Sequence, residues 1–262
     1  MKKEQIKKID IYKTEINDLS YLCKVIAFLE LLLDETELIF DGKDIRVMGM
    51  DPSRICMFDI IIKNILKKPI NLKVKCLIEW LRKTIEPYNL KEVALDITDT
   101  ALIFHDGFEK FTLKREKIGD IDIMSFNNLR KIDYTCNFEV TQEALIDIIK
   151  KCKVFSEIMT ISCYSGGNDY EEKACANFSS TSNWGGCYIG DFPYDNSAAF
   201  SLSFLSIMQN TLFSGITFKM SLKTNHPLKI VYEDERLWFE FYLAPRVEEA
   251  DFYDDDNDMD DF

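Results

Sequence analysis

Apolar residues along the chain change their spacing repeatedly and in a fixed order. Alternation at every second position marks half-buried strands, and recurrence at three and four positions marks amphipathic helices. After weak alternation over 6–13, Thr14 is placed to cap an apolar-rich helix reaching about residue 33, with Glu15 and Asp18 in its first turn. Runs at 36–40, 45–50 and 55–63 predict three strands, separated by Asp41-Gly42 and by a loop at Pro52. The pattern then restarts with a strand over 70–74, a helix over 75–86 closed by Pro87, and strands at 92–98, 101–105 and 110–115.

Between 117 and 133 the periodicity fails, and the half-polar stretch reads as an extended linker. The unit returns as a strand over 134–140, a helix over 141–155 and strands at 158–163, 173–180 and 186–189. A last copy has a strand at 198–202, a short helix to 213, and strands at 216–222, 228–232 and 237–243. One strand, one helix and three strands, written four times around one linker, predict an α+β fold with helices on one side of antiparallel sheets. The implied divisions are a first domain over 1–117, a connector over 118–133, a second domain over 134–249 and a tail over 250–262.

The predicted helices have unequal outer faces. In the helix over 75–86, Leu77, Leu81, Thr84 and Ile85 make the core side, while Lys75, Glu79, Arg82, Lys83 and Glu86 point away. In the helix over 141–155, Leu145, Ile148, Ile149 and Cys152 face inward and leave Lys150 and Lys151 outside. The first helix offers Tyr21, Val25 and Phe28 around a single Lys24, and the last offers Ser203, Ile207 and Asn210.

Charge and cysteine content narrow the chemistry. Of the net charge of -13, nine acids fall between Glu248 and Phe262, which leaves 32 basic against 36 acidic residues before them. The stretch from Asp251 to Phe262 buries too little to order itself and reads as a mobile tail, with solubility as its simplest use and competition for basic partners as the other. It lacks the mid-loop Gly and closing Glu of a calcium loop. The eight cysteines never form a Cys-x-x-Cys pair and lie in apolar segments, and only His105 and His226 could join them, so no metal site is expected and the thiols read as reduced core residues. No apolar run reaches the ~20 residues of a membrane span, and the lysine-rich start lacks a signal peptide's apolar core, so a soluble intracellular protein is expected. Acidic pairs such as Asp120 and Asp122 fall in the linker, no nucleophile, base and orienter can be assembled, and neither an enzyme nor a cofactor is expected.

Two short motifs sharpen this. Tyr242-Leu243-Ala244-Pro245-Arg246-Val247-Glu248 ends the last strand, and Met50-Asp51-Pro52-Ser53-Arg54-Ile55 joins two early ones. Because Pro245 fixes its φ and has no N–H, the strand should stop there, with residues 242–244 displayed at a sheet edge. Together these motifs resemble those of DNA sliding clamps of the proliferating cell nuclear antigen (PCNA) family, of archaeal, eukaryotic or viral type. The resemblance covers residues 6–249, and the insertion from Ser165 to Glu172 departs from it.

The resemblance implies a DNA-clamp fold of two pseudo-symmetric domains, each with two strand-helix-three-strand units, closing as a trimeric ring around duplex DNA. It implies a groove under the connector, which captures peptides of DNA polymerase, clamp loader, ligase and nuclease. Carried over motif by motif, the groove uses Met50, Arg54, Ile55, Met57, Pro227, Tyr242, Leu243, Ala244 and Pro245, with Phe126 and Leu129 from the connector. Methionines suit a surface that repacks around different partners, and the connector and the segment after Pro245 would offer unpaired backbone groups. Lumen cations would be Lys24, Lys75, Arg82, Lys83, Lys150 and Lys151, meeting phosphates without reading bases. The joining edges would be Phe108, Lys110, Phe111, Leu113 and Arg115 on one side, and Gly186, Cys187, Tyr188 and Ile189 on the other. A homotrimer is the default expectation, and the poorly basic first and last helices leave room for a heterotrimer with a checkpoint, transcription or scaffold role. The location would be the nucleus in a eukaryote or for a virus, and the cytoplasm in an archaeon.

Overall fold

The computed structural model describes residues 11–88, 92–115, 123–165, 175–180, 185–189 and 194–246. Among them the strand-helix-three-strand unit is present four times. The first copy is β1 (Tyr12–Ile16), α1 (Leu19–Leu29), β2 (Glu35–Gly42), β3 (Asp44–Met50) and β4 (Cys56–Ile62). The second is β5 (Ile70–Leu77), α2 (Ile78–Ile85), β6 (Val93–Ile97), β7 (Ala101–His105) and β8 (Lys110–Lys114). After a connector helix α3 (Ile123–Leu129) come β9 (Cys136–Thr141), α4 (Gln142–Lys153), β10 (Ile158–Tyr164), β11 (Cys175–Ser179) and β12 (Gly185–Ile189). The fourth is β13 (Asn196–Ser201), α5 (Leu202–Leu205), β14 (Thr217–Leu222), β15 (Leu228–Glu233) and β16 (Leu237–Leu243).

The copies exchange their first strands. β1 pairs with β6 of the second copy while β5 pairs with β2 of the first, and β9 and β13 do the same in the second half. Two four-stranded sheets result, ordered β1-β6-β7-β8 and β12-β11-β10-β13, together with one eight-stranded sheet ordered β5-β2-β3-β4-β16-β15-β14-β9. The seam of that long sheet is the antiparallel pair β4·β16, which joins the two halves of the chain from Cys56↔Leu243 to Ile62↔Leu237.

On its inner face the sheet meets the helices through aromatic residues. Phe28 of α1 stands edge-on to Phe58, Phe213 and Phe239, at centroid distances of 6.3, 5.4 and 5.5 Å, and all four are buried. Gly49 faces Phe58 across the β3–β4 pair, and a Cβ there would come within 2.6 Å of its ring. Only glycine leaves room for that ring.

Several local expectations are corrected. Thr14 does not cap the first helix; it lies in β1 and its hydroxyl donates to Lys68 O. Asp18 is the cap, accepting from Ser20 N–H at 2.8 Å, because the strand persists to Ile16 and postpones the first helical turn. Val25 and Phe28 are core rather than outer-face residues, since α1 is wedged between the sheet, α2 and the turn around Phe213 and buries a broad arc. β5 extends to Leu77, so Lys75 sits on a strand, ion-paired with Glu35, and Leu77 is exposed while Ile78 takes the core position. Ile207 is buried because α5 tightens into a 3₁₀ turn at Ser206, which rotates the residues after it. Within the linker, Ile123–Leu129 is helical, not extended. The predicted tail and the Ser165–Glu172 insertion lie outside the described residues apart from Ser165. No helix among the described residues is long and apolar enough to cross a membrane.

Candidate peptide groove and charged seam

On the outer face of the long sheet, β-register alone sets the arrangement. Met50 pairs with Met57, Met57 with Tyr242 and Tyr242 with Lys229, so these four residues form one row across β3, β4, β16 and β15. Two residues along each strand, the parallel row reads Met48, Asp59, Glu240 and Val231. Asp59 and Glu240 thus stand directly opposite each other on the strand pair that joins the two halves, and both are buried. Like charges in that relation repel unless cations intervene.

Three cations do so. Arg46 of β3 donates from Nε and Nη2 to the two oxygens of Asp59, at 2.8 and 2.7 Å. Lys229 of β15 lies 3.1 Å from Glu240 Oε1. Arg130, one residue past α3, donates from Nε to Glu240 Oε2 at 2.8 Å and from Nη2 to both Glu240 and Asp59. Tyr242 adds its hydroxyl to Glu240 Oε1 at 2.9 Å. Burial alone would raise the pKa of Glu240, but the hydrogen bonds from Arg130, Tyr242 and Lys229 outweigh it and hold the carboxyl below the usual glutamate value. Arg130 also lies over the ring of Phe126, 5.8 Å from its centroid, and the Arg130 N–H donates to Phe126 O. Phe126 is fully buried outside the helix-side core, so among the described residues the Phe126 ring and the Arg130 guanidinium fasten the connector to the seam.

The motif around Pro52 is a loop built on Asp51, whose buried carboxylate accepts from the N–H groups of Ser53, Ile55 and Cys56. Arg54 takes a left-handed φ of 59° and is exposed. Ile55 O accepts from Ala244 N–H at 2.8 Å, which ties this loop to the end of β16. Across the row, Tyr134 donates its hydroxyl to Pro227 O at 2.8 Å.

Of the groove residues expected from sequence, Met50, Ile55, Met57, Leu129, Pro227, Ala244 and Pro245 are half-buried around this row. Phe126, Tyr242 and Leu243 are buried. The expected edge display of residues 242–244 is overturned: β16 pairs with β4 on one side and β15 on the other, so Pro245 ends an interior strand. Nor is the backbone free at Arg246, whose N–H donates to Ala199 O at 2.8 Å. The charged lattice of Arg46, Asp59, Arg130, Lys229 and Glu240 was missed, although Asp59 and Glu240 inside apolar strand runs were a visible signal.

β8 and β12 are terminal strands of their sheets, as expected for joining edges. Phe108 is 98% exposed and Lys110 is exposed, while Leu113 is buried against its own sheet and Arg115 is held by Thr98 O and Lys73 O. The side chains of Gly186, Cys187, Tyr188 and Ile189 lie outside the described residues. On the helices, Lys24 and Lys150 are exposed without an ion pair among the described residues, whereas Arg82, Lys83 and Lys151 are paired with Glu30, Glu79 and Asp147.

No protein-family model and no curated protein sequence matches the chain. Solved structures do. PCNA from Entamoeba histolytica is similar at 17% identity and a TM-score of 0.72, over 90% of this chain and 98% of that one. The PCNA2–PCNA3 complex from Sulfolobus tokodaii gives 17% and 0.68, and PCNA from Thermococcus kodakaraensis 15% and 0.71, each over 90% of this chain and all of the other. The chain therefore has the PCNA sliding-clamp fold.

Proposed function

We propose that the chain is a sliding clamp, a non-enzymatic ring subunit that encircles duplex DNA and tethers replication and repair proteins, among them polymerase, clamp loader, ligase and nuclease, at the groove beside the connector. The observation that carries this reading is the likeness over essentially the whole length of known clamp chains, with β8 and β12 as terminal strands among the described residues, edges that a neighbouring copy can join head to tail. The groove supports it. Half-buried Met50 and Met57 lie in one row beside a fastened connector, a surface that adapts to an aromatic plug.

The ring holds DNA by enclosure, and its phosphate contacts are weak. Among the described residues, only Lys24 and Lys150 of the expected lumen cations stand without an acidic partner. That same balance favours a second reading, a heterotrimer in which a sister subunit brings more positive charge. The Sulfolobus neighbour is itself a complex of two different clamp chains.

Light scattering on the purified chain, alone and with sister subunits, tests ring formation; a persistent monomer in both cases removes the clamp reading. For the groove, a fluorescent synthetic peptide carrying an aromatic and aliphatic plug serves as probe. Changing Tyr242→Ala and Leu129→Ala together should abolish its capture and leave trimer formation intact. Unchanged affinity would refute the groove assignment.

A further inference from the structure

We infer that the acidic segment after Arg246 is a ligand of the chain's own groove, with Phe252 and Tyr253 as its anchors. The inference rests on the groove reading above and names an occupant for it.

Continuity comes first. Ala244 N–H is bonded to Ile55 O and Arg246 N–H to Ala199 O, so the described fold ends at the mouth of the groove. Phe252 follows Arg246 by six residues, which span about 20 Å when extended. That is enough to bring an aromatic ring back over the Met57–Tyr242 row. A segment tethered this closely acts at an effective concentration on the order of millimolar, so even weak intrinsic affinity fills the site.

Charge points the same way. Arg54 and Arg246 flank the Ile55–Ala244 junction, are exposed, and have no ion pair among the described residues. Beside them the seam sets three cations against two carboxylates, and Arg130 and Lys229 keep 33% and 24% of their side chains exposed. The rim is thus basic on a chain whose net charge is -13. Residues 248–262 hold nine acids and no base, with Asp251 just before the aromatic pair and Asp254, Asp255 and Asp256 just after it. Solvation alone does not require two adjacent aromatics in the middle of such a run. Half-buried methionines with an arginine rim are the complement of that sequence. Partner peptides must then displace the segment, and the groove selects those that outcompete it.

The test compares the full chain with its Phe252→Ser/Tyr253→Ser variant, which leaves every described residue unchanged. The variant should bind the plug peptide of the preceding subsection at least about tenfold more tightly, and amide exchange over 50–57 and 242–246 should quicken at every protein concentration. A synthetic peptide of residues 247–262 should also bind the variant, and Arg54→Ala added to it should weaken that binding several-fold. Equal plug affinity for both chains overturns the inference and leaves the groove standing, whereas plug binding to neither removes the groove itself. Exchange that differs only at high protein concentration overturns the inference in favour of a neighbouring copy's segment.

Discussion

The two faces of the eight-stranded sheet are made by alternate residues of the same strands, yet they are held by opposite physics. Inward, Phe58, Phe239 and Phe241 meet the helices with no polar group to satisfy. Outward, one residue away on each strand, Asp59 and Glu240 are as deeply buried and depend on Arg46, Arg130 and Lys229. The inner face gains from contacts that any apolar shape partly replaces. Along the outer face each partner is needed because the others are charged, and one of those partners belongs to the connector. Stability on one side and the fastening of the connector on the other are therefore separable by mutation.

The largest effect belongs to the inner face. Phe239→Ala removes a ring that meets Phe213 at 4.6 Å and Phe28 at 5.5 Å in a fully buried setting, and should cost about 3–5 kcal/mol. That is a large share of the ~5–15 kcal/mol typical of folded domains. The urea midpoint should fall accordingly, by the same free energy at every pH, because no titrating group is touched. A loss below about 1 kcal/mol would mean that the aromatic cluster can repack, and would erase the contrast.

How much of this contrast could be read beforehand follows from what each face needs. Period-2 alternation registers burial on the core side, so most strands of the four copies were legible within two residues, and Ala101–His105 and Leu237–Leu243 at both ends. Alternation does not say what covers the other face. Asp59 and Glu240 look like solvent positions until their pairing and the arrival of Arg130 are known, and Arg130 reaches them across 71 and 110 residues. Pro245 was read correctly as a stop but wrongly as an edge, because proline constrains its own residue and says nothing of the neighbours β4 and β15. The connector helix was hidden for a different reason. It is a short element, and a buried Phe126 makes no periodic pattern by itself.

An intermediate effect should come from Arg130→Met. It removes one donor group from two buried carboxylates, leaving Asp59 to Arg46 and Glu240 to Lys229 and Tyr242, so the cost at neutral pH should be about 2 kcal/mol. The pH dependence carries the sign. Glu240 is depressed in the folded wild type, so its contribution is present above the unfolded value near pH ~4 and is lost as pH falls through the folded one. Without Arg130 that depression shrinks, so thermal melts of the two proteins should differ at pH 7 and converge at low pH. Amide exchange over 123–130 should rise in the variant, because the connector has lost its ionic fastening. A stability gap that is constant with pH would assign Arg130 to packing on Phe126 and not to the carboxylates.

The smallest effect is expected from Lys229→Met, at about 1 kcal/mol or less, because Glu240 keeps the stronger donors Arg130 and Tyr242. The methionine can also stay over the Tyr242 ring, from which the lysine nitrogen lies 5.7 Å. Its value lies in the double variant with Arg130→Met. Among the described residues Glu240 then retains only the Tyr242 hydroxyl and faces Asp59 across the seam, so the combined loss should exceed the sum of the two single losses by on the order of 1 kcal/mol. Simple additivity in urea melts would mean that the two cations act on separate charges, and the outer face would then be a set of independent pairs instead of one lattice.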